Sequence, residues 1–82
     1  PDAEALKDPK ARLQELLQAR AFKLPEYQVI DESGADHDRT FTVVCRVEIL
    51  DEPIQATSTS RRKAEQAAAQ RAIETISHRE SE

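Results

Sequence analysis

The sequence predicts an α+β domain of order α-β-β-β-α, a two-layer arrangement of a three-stranded antiparallel sheet with both helices packed on one face. Three observations carry that expectation. Leucines recur at i, i+3, i+4 near the start, apolar residues alternate through the middle, and an alanine stripe with helical period fills the end. At 82 residues the chain can build one domain with a modest core, and its 38% hydrophobic content is low but sufficient for that.

The first element is "DPKARLQELLQAR". Asp8 suits the N-cap, and Pro9 suits the first helical position, where its missing N–H is no loss. Leu13, Leu16 and Leu17 fall within a narrow arc that should bury, while Gln14, Glu15 and Gln18 turn the other way. Pro25 in "KLPEY" is expected to stop the helix. "YQVIDE" then reads as a short strand, and "SGADHD" as a turn around Gly34, the single glycine. "RTFTVVCRVEI" places Phe41, Val43, Cys45, Val47 and Ile49 on one face and Thr40, Thr42, Arg46 and Glu48 on the other, with Val44 out of pattern. "LDEP" turns the chain into a weaker third strand, "IQATST". Connections this short between successive strands imply hairpins.

The last helix starts after a cap at Ser60 or Thr59. Ala64, Ala68, Ala69, Ala72, Ile73 and Ile76 occupy about half its circumference at 100° per residue. Lys63, Gln66, Gln70 and Glu74 are expected to point away. Glu65 falls on the apolar bearing, for which an i, i+4 pair with Arg61 is one explanation.

No apolar run approaches the ~20 residues that cross a bilayer, and no signal-peptide pattern is present. A lone Cys45 in an apolar strand reads as a buried thiol, compatible with a reducing cytoplasm. His37, Cys45 and His78 have no metal-ligand spacing, and there is no glycine-rich phosphate loop or nucleophile pattern. The chain opens on Pro1, so it is expected to be a piece of a longer protein.

The net charge of −4 argues superficially against a polyanionic partner, but the charges segregate. Acids collect at Asp31, Glu32, Asp36 and Asp38 and again at Glu48, Asp51 and Glu52, whereas Arg61, Arg62 and Lys63 form the densest basic cluster. A ligand meets a local face, because charges are screened beyond about 10 Å at ordinary salt. That cluster sits at a helix start, where the backbone already carries roughly half a unit of positive charge, so cations there oppose the dipole and one another. An external anion would resolve the conflict, since free N–H groups, dipole and side chains would all point at one phosphate. A solvated charged turn is the plainer reading. The polar face of Gln14, Glu15 and Gln18 and the loop His37 have equally plain readings taken singly, but all three could lie along one surface.

The element order, with "SRRKAEQAAA", "RLQELLQ" and "GADH", resembles the double-stranded RNA-binding domain, and more narrowly the C-terminal domain of bacterial ribonuclease III. The resemblance covers about residues 8–77, leaving 1–7 as a linker and 78–82 as a polar tail. It implies three RNA contacts. Gln14 and Glu15 match residues that reach minor-groove edges and 2′-hydroxyls, with Gln18 one turn on. His37 matches the histidine of the family's Gly-Pro-x-His turn, which enters a neighbouring minor groove. Ser60, Arg61, Arg62 and Lys63 match the Ser-Lys-Lys-x block that faces phosphates across the major groove. Such domains span about 16 base pairs and read shape more than sequence.

There are departures. Ala35 replaces the loop proline, Ala56 and Ser58 stand where many members have glycine, and Glu65 stands where many have a third basic residue. The resemblance further implies a cytoplasmic, non-catalytic module with no cofactor of its own and no membrane partner, monomeric as a fragment. Its parent would be a homodimeric endoribonuclease that processes ribosomal RNA precursors and structured messages, using magnesium in a separate nuclease domain. The rival readings are a dimerisation module of the same fold with a decayed RNA surface, and a DNA-binding domain.

Overall fold

Residues 7–81 are described by the computed structural model, in the order α1 (Pro9–Ala19), β1 (Glu26–Ser33), β2 (Thr40–Arg46), β3 (Ile54–Ser58) and α2 (Arg61–Glu80). Apart from Lys7, the expected 1–7 linker lies outside the described residues. The sheet has the order β1-β2-β3, antiparallel throughout, with β2, which supplies the buried Val43, Val44 and Cys45, at the centre. Val43 and Cys45 are fully buried beneath the helices. Val44, on the opposite parity, is also buried, and its register partners on either side are Gln28 and Gln55.

The alternation through residue 49 does not continue as a strand. The ladder stops at Arg46, paired with Glu26, and Cys45 pairs with Ile54. Each neighbouring strand therefore begins just after a proline, Pro25 on one side and Pro53 on the other, and proline has no N–H for a ladder. Val47 stays buried, and the chain turns through a Leu50 N–H to Val47 carbonyl bond of 3.1 Å. On β1 the register slips between Val29 and Asp31, which throws Ile30 outward to 48% exposure.

α1 starts as its sequence suggests. Asp8 Oδ1 accepts the Ala11 N–H at 2.8 Å, and Pro9 occupies the first turn. Its end was not legible. Well before Pro25, Ala21 adopts φ 60°, the Ala21 N–H bonds the Gln18 carbonyl at 3.1 Å, and the Phe22 N–H bonds the Leu17 carbonyl at 2.9 Å. This is the paired closure usually built on glycine, and Phe22 then packs against the core. α2 is capped by Ser60, whose Oγ accepts the Lys63 N–H at 3.1 Å. It runs past residue 77, so most of the expected polar tail is helical. Arg79 reaches the Ile49 carbonyl at 3.4 Å, and Glu80 pairs with Arg20 at the end of α1.

The core joins Leu13 and Leu17 of α1, Cys45 and Val47, Ala56 of β3, and Ala68, Ala69, Ala72 and Ile76 of α2. Burial pushes the Cys45 thiol up to about 11, so it stays protonated at neutral pH. A non-glycine residue in the left-handed region is strained by roughly 1–2 kcal/mol. Ala21→Gly relieves that strain while loosening the unfolded chain, so a net gain of about 0.5–1 kcal/mol is expected in urea unfolding.

Candidate nucleic-acid interface

The first turn of α2 is the centre of the site. Ser60, as cap, orients the turn and leaves the Arg61 and Arg62 N–H groups ahead of the first helical bond. Arg61, Arg62 and Lys63 are all exposed. Their charges are not all left for an outside anion. Arg61 Nε donates to Glu65 Oε2 at 3.1 Å, and Arg62 lies close enough to Asp8 to help lower that carboxyl. Lys63 makes no side-chain hydrogen bond or ion pair among the described residues. The conflict at this helix start is thus partly resolved inside the molecule, by carboxylates from the next turn and from the cap of the other helix.

Those same carboxylates clasp α1 to α2. Lys10 Nζ donates to Glu65 Oε1 at 2.7 Å, the Gln66 amide donates to Asp8 Oδ2 at 3.0 Å, and the Lys10 N–H donates to Gln66 Oε1 at 3.0 Å. Gln66 therefore does not point away into solvent; it bridges the two helix starts. Glu65 is explained as well. It sits on the buried side of α2 because Lys10 and Arg61 both meet it there. Burial works against its charge, but the two donated bonds and nearby cations outweigh burial and hold its carboxyl below the ordinary range. The Asp8 carboxyl is lowered chiefly by the Ala11 N–H and then by the Gln66 amide.

Lys10 is further fixed over the Tyr27 ring, 4.8 Å from its centroid. Burial pushes the pKa of Tyr27 above its ordinary value, so it stays protonated. Its hydroxyl has no partner of hydrogen-bond geometry among the described residues, although the neighbouring Cys45 thiol influences it.

Gln14, Glu15 and Gln18 form an exposed stripe opposite the buried Leu13 and Leu17. From Lys10 at the clasp to Gln18 the helix rises about 12 Å. Glu15 is not a free acceptor: both its oxygens take Lys7 Nζ at 2.6 Å. His37 is exposed in the β1–β2 loop, where Gly34 at φ 96° permits a turn that a Cβ would block by lying 2.3 Å from the Asp38 carbonyl oxygen. Asp36, His37, Asp38, Arg39 and Phe41 line one shallow cleft with Thr59, the residue before the Ser60 cap. The loop and α1 thus both reach the start of α2, the loop through Thr59 and α1 through the clasp. No hydrogen bond or ion pair joins His37 to the α1 stripe among the described residues.

Sequence reasoning missed Lys10, turned Gln66 toward solvent and took Asp8 for a cap alone. Among the described residues no group of three or more His, Cys, Asp or Glu is placed to hold a metal ion, and no helix is long and apolar enough to cross a membrane.

The sequence model of one family, described as double-stranded RNA binding motif, matches residues 9–76. Ribonuclease 3 of Histophilus somni (strain 2336) is 56% identical over 73 residues, covering 89% of this chain and 33% of that protein. Ribonuclease 3 of Idiomarina loihiensis is 60% identical over 68 residues, 83% of this chain and 30% of that one. The chain therefore spans about a third of the length of these relatives. A solved structure of Arabidopsis HYL1, described for its implications for miRNA processing, superposes with a TM-score of 0.72 at 25% identity, covering 84% of this chain and 96% of that one. The two linked dsRBDs of DRB4 give a TM-score of 0.69 at 26% identity, over 95% of this chain and 49% of theirs.

Carboxyls lowered by folding stabilise the fold fully above their unfolded pKa, near 4, and that contribution is lost as pH falls through the lower folded value. Urea midpoints measured from pH 6 down to pH 3 should therefore fall for the wild type. The fall should be shallower for Glu65→Gln, whose side chain cannot ionise.

Proposed function

The chain belongs to the double-stranded RNA binding motif family, and from that membership we propose that it grips duplex RNA for a ribonuclease III-type endonuclease without cutting it. The observation that supports the reading is the exposed Arg61–Lys63 turn, with the His37 loop lining a cleft with Thr59 beside its cap and the start of α1 clasped to it through Lys10. Phosphates across the major groove engage the Arg62 and Lys63 side chains, the outer edge of Arg61 and the backbone N–H groups that the Ser60 cap leaves open. Gln14 and Gln18 reach 2′-hydroxyls in the minor groove, with Glu15 available to accept from them once Lys7 yields. His37 enters the neighbouring minor groove. An A-form duplex offers 2′-hydroxyls there and a major groove too deep for side chains to read, so recognition is by shape.

The rest of the parent supplies the chemistry. We assign cleavage to a separate dimeric nuclease domain that uses magnesium, acting in the cytoplasm on ribosomal RNA precursors and structured messages. The present domain contributes by raising the duplex's effective concentration at that domain.

Competition titrations with duplex RNA, single-stranded RNA and duplex DNA at two salt concentrations test the reading. Duplex RNA should win, and its log affinity should fall with log salt at a slope of roughly −2 to −4, equivalent to three to five neutralised phosphates. Arg62→Glu with Lys63→Glu should weaken all duplex RNA sequences alike. Equal binding of duplex DNA, or no binding together with self-association on raising the protein concentration, rejects it in favour of the DNA-binding or dimerisation use of the same fold.

A further inference from the structure

Glu65 has an unusual place in the site. Its side chain is 13% exposed, yet its two oxygens serve two cations on different helices, Lys10 at 2.7 Å and Arg61 at 3.1 Å. The Arg61 side chain, by contrast, is 66% exposed. Among the described residues Arg61 is engaged through Nε alone. A guanidinium carries five donors in one plane, so a bond at Nε leaves the terminal nitrogens on the outer edge free to fork onto a phosphate. A covered carboxylate thus holds a cation that projects into solvent, with its phosphate-binding edge open. Glu65 and a phosphate need not compete for Arg61; they fit opposite sides of one plane.

We propose that Glu65 is a positioning residue for RNA: it fixes the guanidinium plane of Arg61 toward a backbone phosphate. The proposal rests on the duplex-RNA reading above and adds an acidic residue to its working parts. It also explains how a carboxylate can sit in a basic block without spoiling it. A flexible arginine must give up rotamer freedom on binding, and one already held gives up less.

Charge and positioning predict opposite signs, which makes the proposal sharp. Removing Glu65 makes the surface more positive by one unit, and through charge alone that would tighten a polyanion. Positioning requires the reverse. The experiment is fluorescence anisotropy with a blunt RNA duplex, using the full chain as wild type, Glu65→Ala, Glu65→Gln, Arg61→Ala and the Glu65→Ala/Arg61→Ala double variant, with a melting curve for each.

Glu65→Ala should bind about fivefold more weakly than wild type, the worth of one lost orienting hydrogen bond, despite its extra positive charge. Glu65→Gln, which keeps an acceptor for one of the two cations, should fall between them. In the Arg61→Ala background the Glu65→Ala penalty should vanish. Glu65→Ala binding as tightly as wild type or tighter overturns the proposal, and so does a penalty that persists without Arg61. Should Glu65→Ala melt too low to assay, Glu65→Gln decides: weaker than wild type supports positioning, and equal or tighter overturns it. A wild type with no preference for duplex RNA fails the underlying reading, and that failure is visible before any variant is compared.

Discussion

Ala64, Ala68, Ala69 and Ala72 have no side-chain atom beyond Cβ, and all four are fully buried, so α2 can lie close along β2 and β3. The placement of the first turn of α2 depends on that close approach. Interiors pack to a fixed density, and a larger residue at any of these positions would lift the helix from the sheet. α1 fills the remaining space with Leu13 and Leu17, both fully buried, which pins its opposite, polar stripe outward. Arg71 ties the middle of α2 to the Gln55 carbonyl on β3 at 2.6 Å, and Arg20 and Glu80 tie its far end to α1. The first turn of α2 is therefore the exposed end of a helix that is fixed along its length.

The electrostatics follow a similar logic of local placement over total charge. A chain of net charge −4 presents a cationic turn because Arg61, Arg62 and Lys63 are consecutive and exposed, even though Asp36 and Asp38 of the β1–β2 loop line the cleft beside Thr59. Within the turn itself, Asp8 and Glu65 lower the field that three cations would otherwise impose on one another. The helix start is then stable without a ligand, which a bare triplet at a positive dipole end would oppose. Surface ion pairs of this kind add little stability singly, so their main effect is on geometry.

How much of this could be read from the chain divides along locality. The Asp8–Pro9 and Ser60 caps, the alternation at Val43 and Cys45 and the alanine stripe are signals within a few residues of their effect, and all appear where expected. The Arg61–Glu65 pair, four residues apart, was legible for the same reason. The end of β2 was not, because the prolines that stop its neighbours belong to other strands. The end of α1 escaped because an alanine does the work usually given to glycine at Ala21, in a turn closed by two backbone bonds and by Phe22 packing on the core beyond it. The clasp was invisible for a different reason: Lys10 and Glu65 are 55 residues apart, and nothing local distinguishes Gln66 from any solvent-facing glutamine.

The non-local contacts also link the elements that carry three separate sequence signals. A polar stripe, a histidine turn and a basic triplet each have an ordinary explanation alone. Held independently, they would have to be ordered by the ligand, and each ordered side chain would subtract from affinity. Here the Gly34 turn fixes the loop, Thr59 connects that loop to the cap, and the clasp connects the cap's helix to α1. A ligand read by shape and not by base identity offers regular spacing as its main distinguishing feature. Contacts already spaced before binding would discriminate on that feature at the least entropic cost, and the carboxylates of Asp8 and Glu65 are what fix the spacing of the two helix starts.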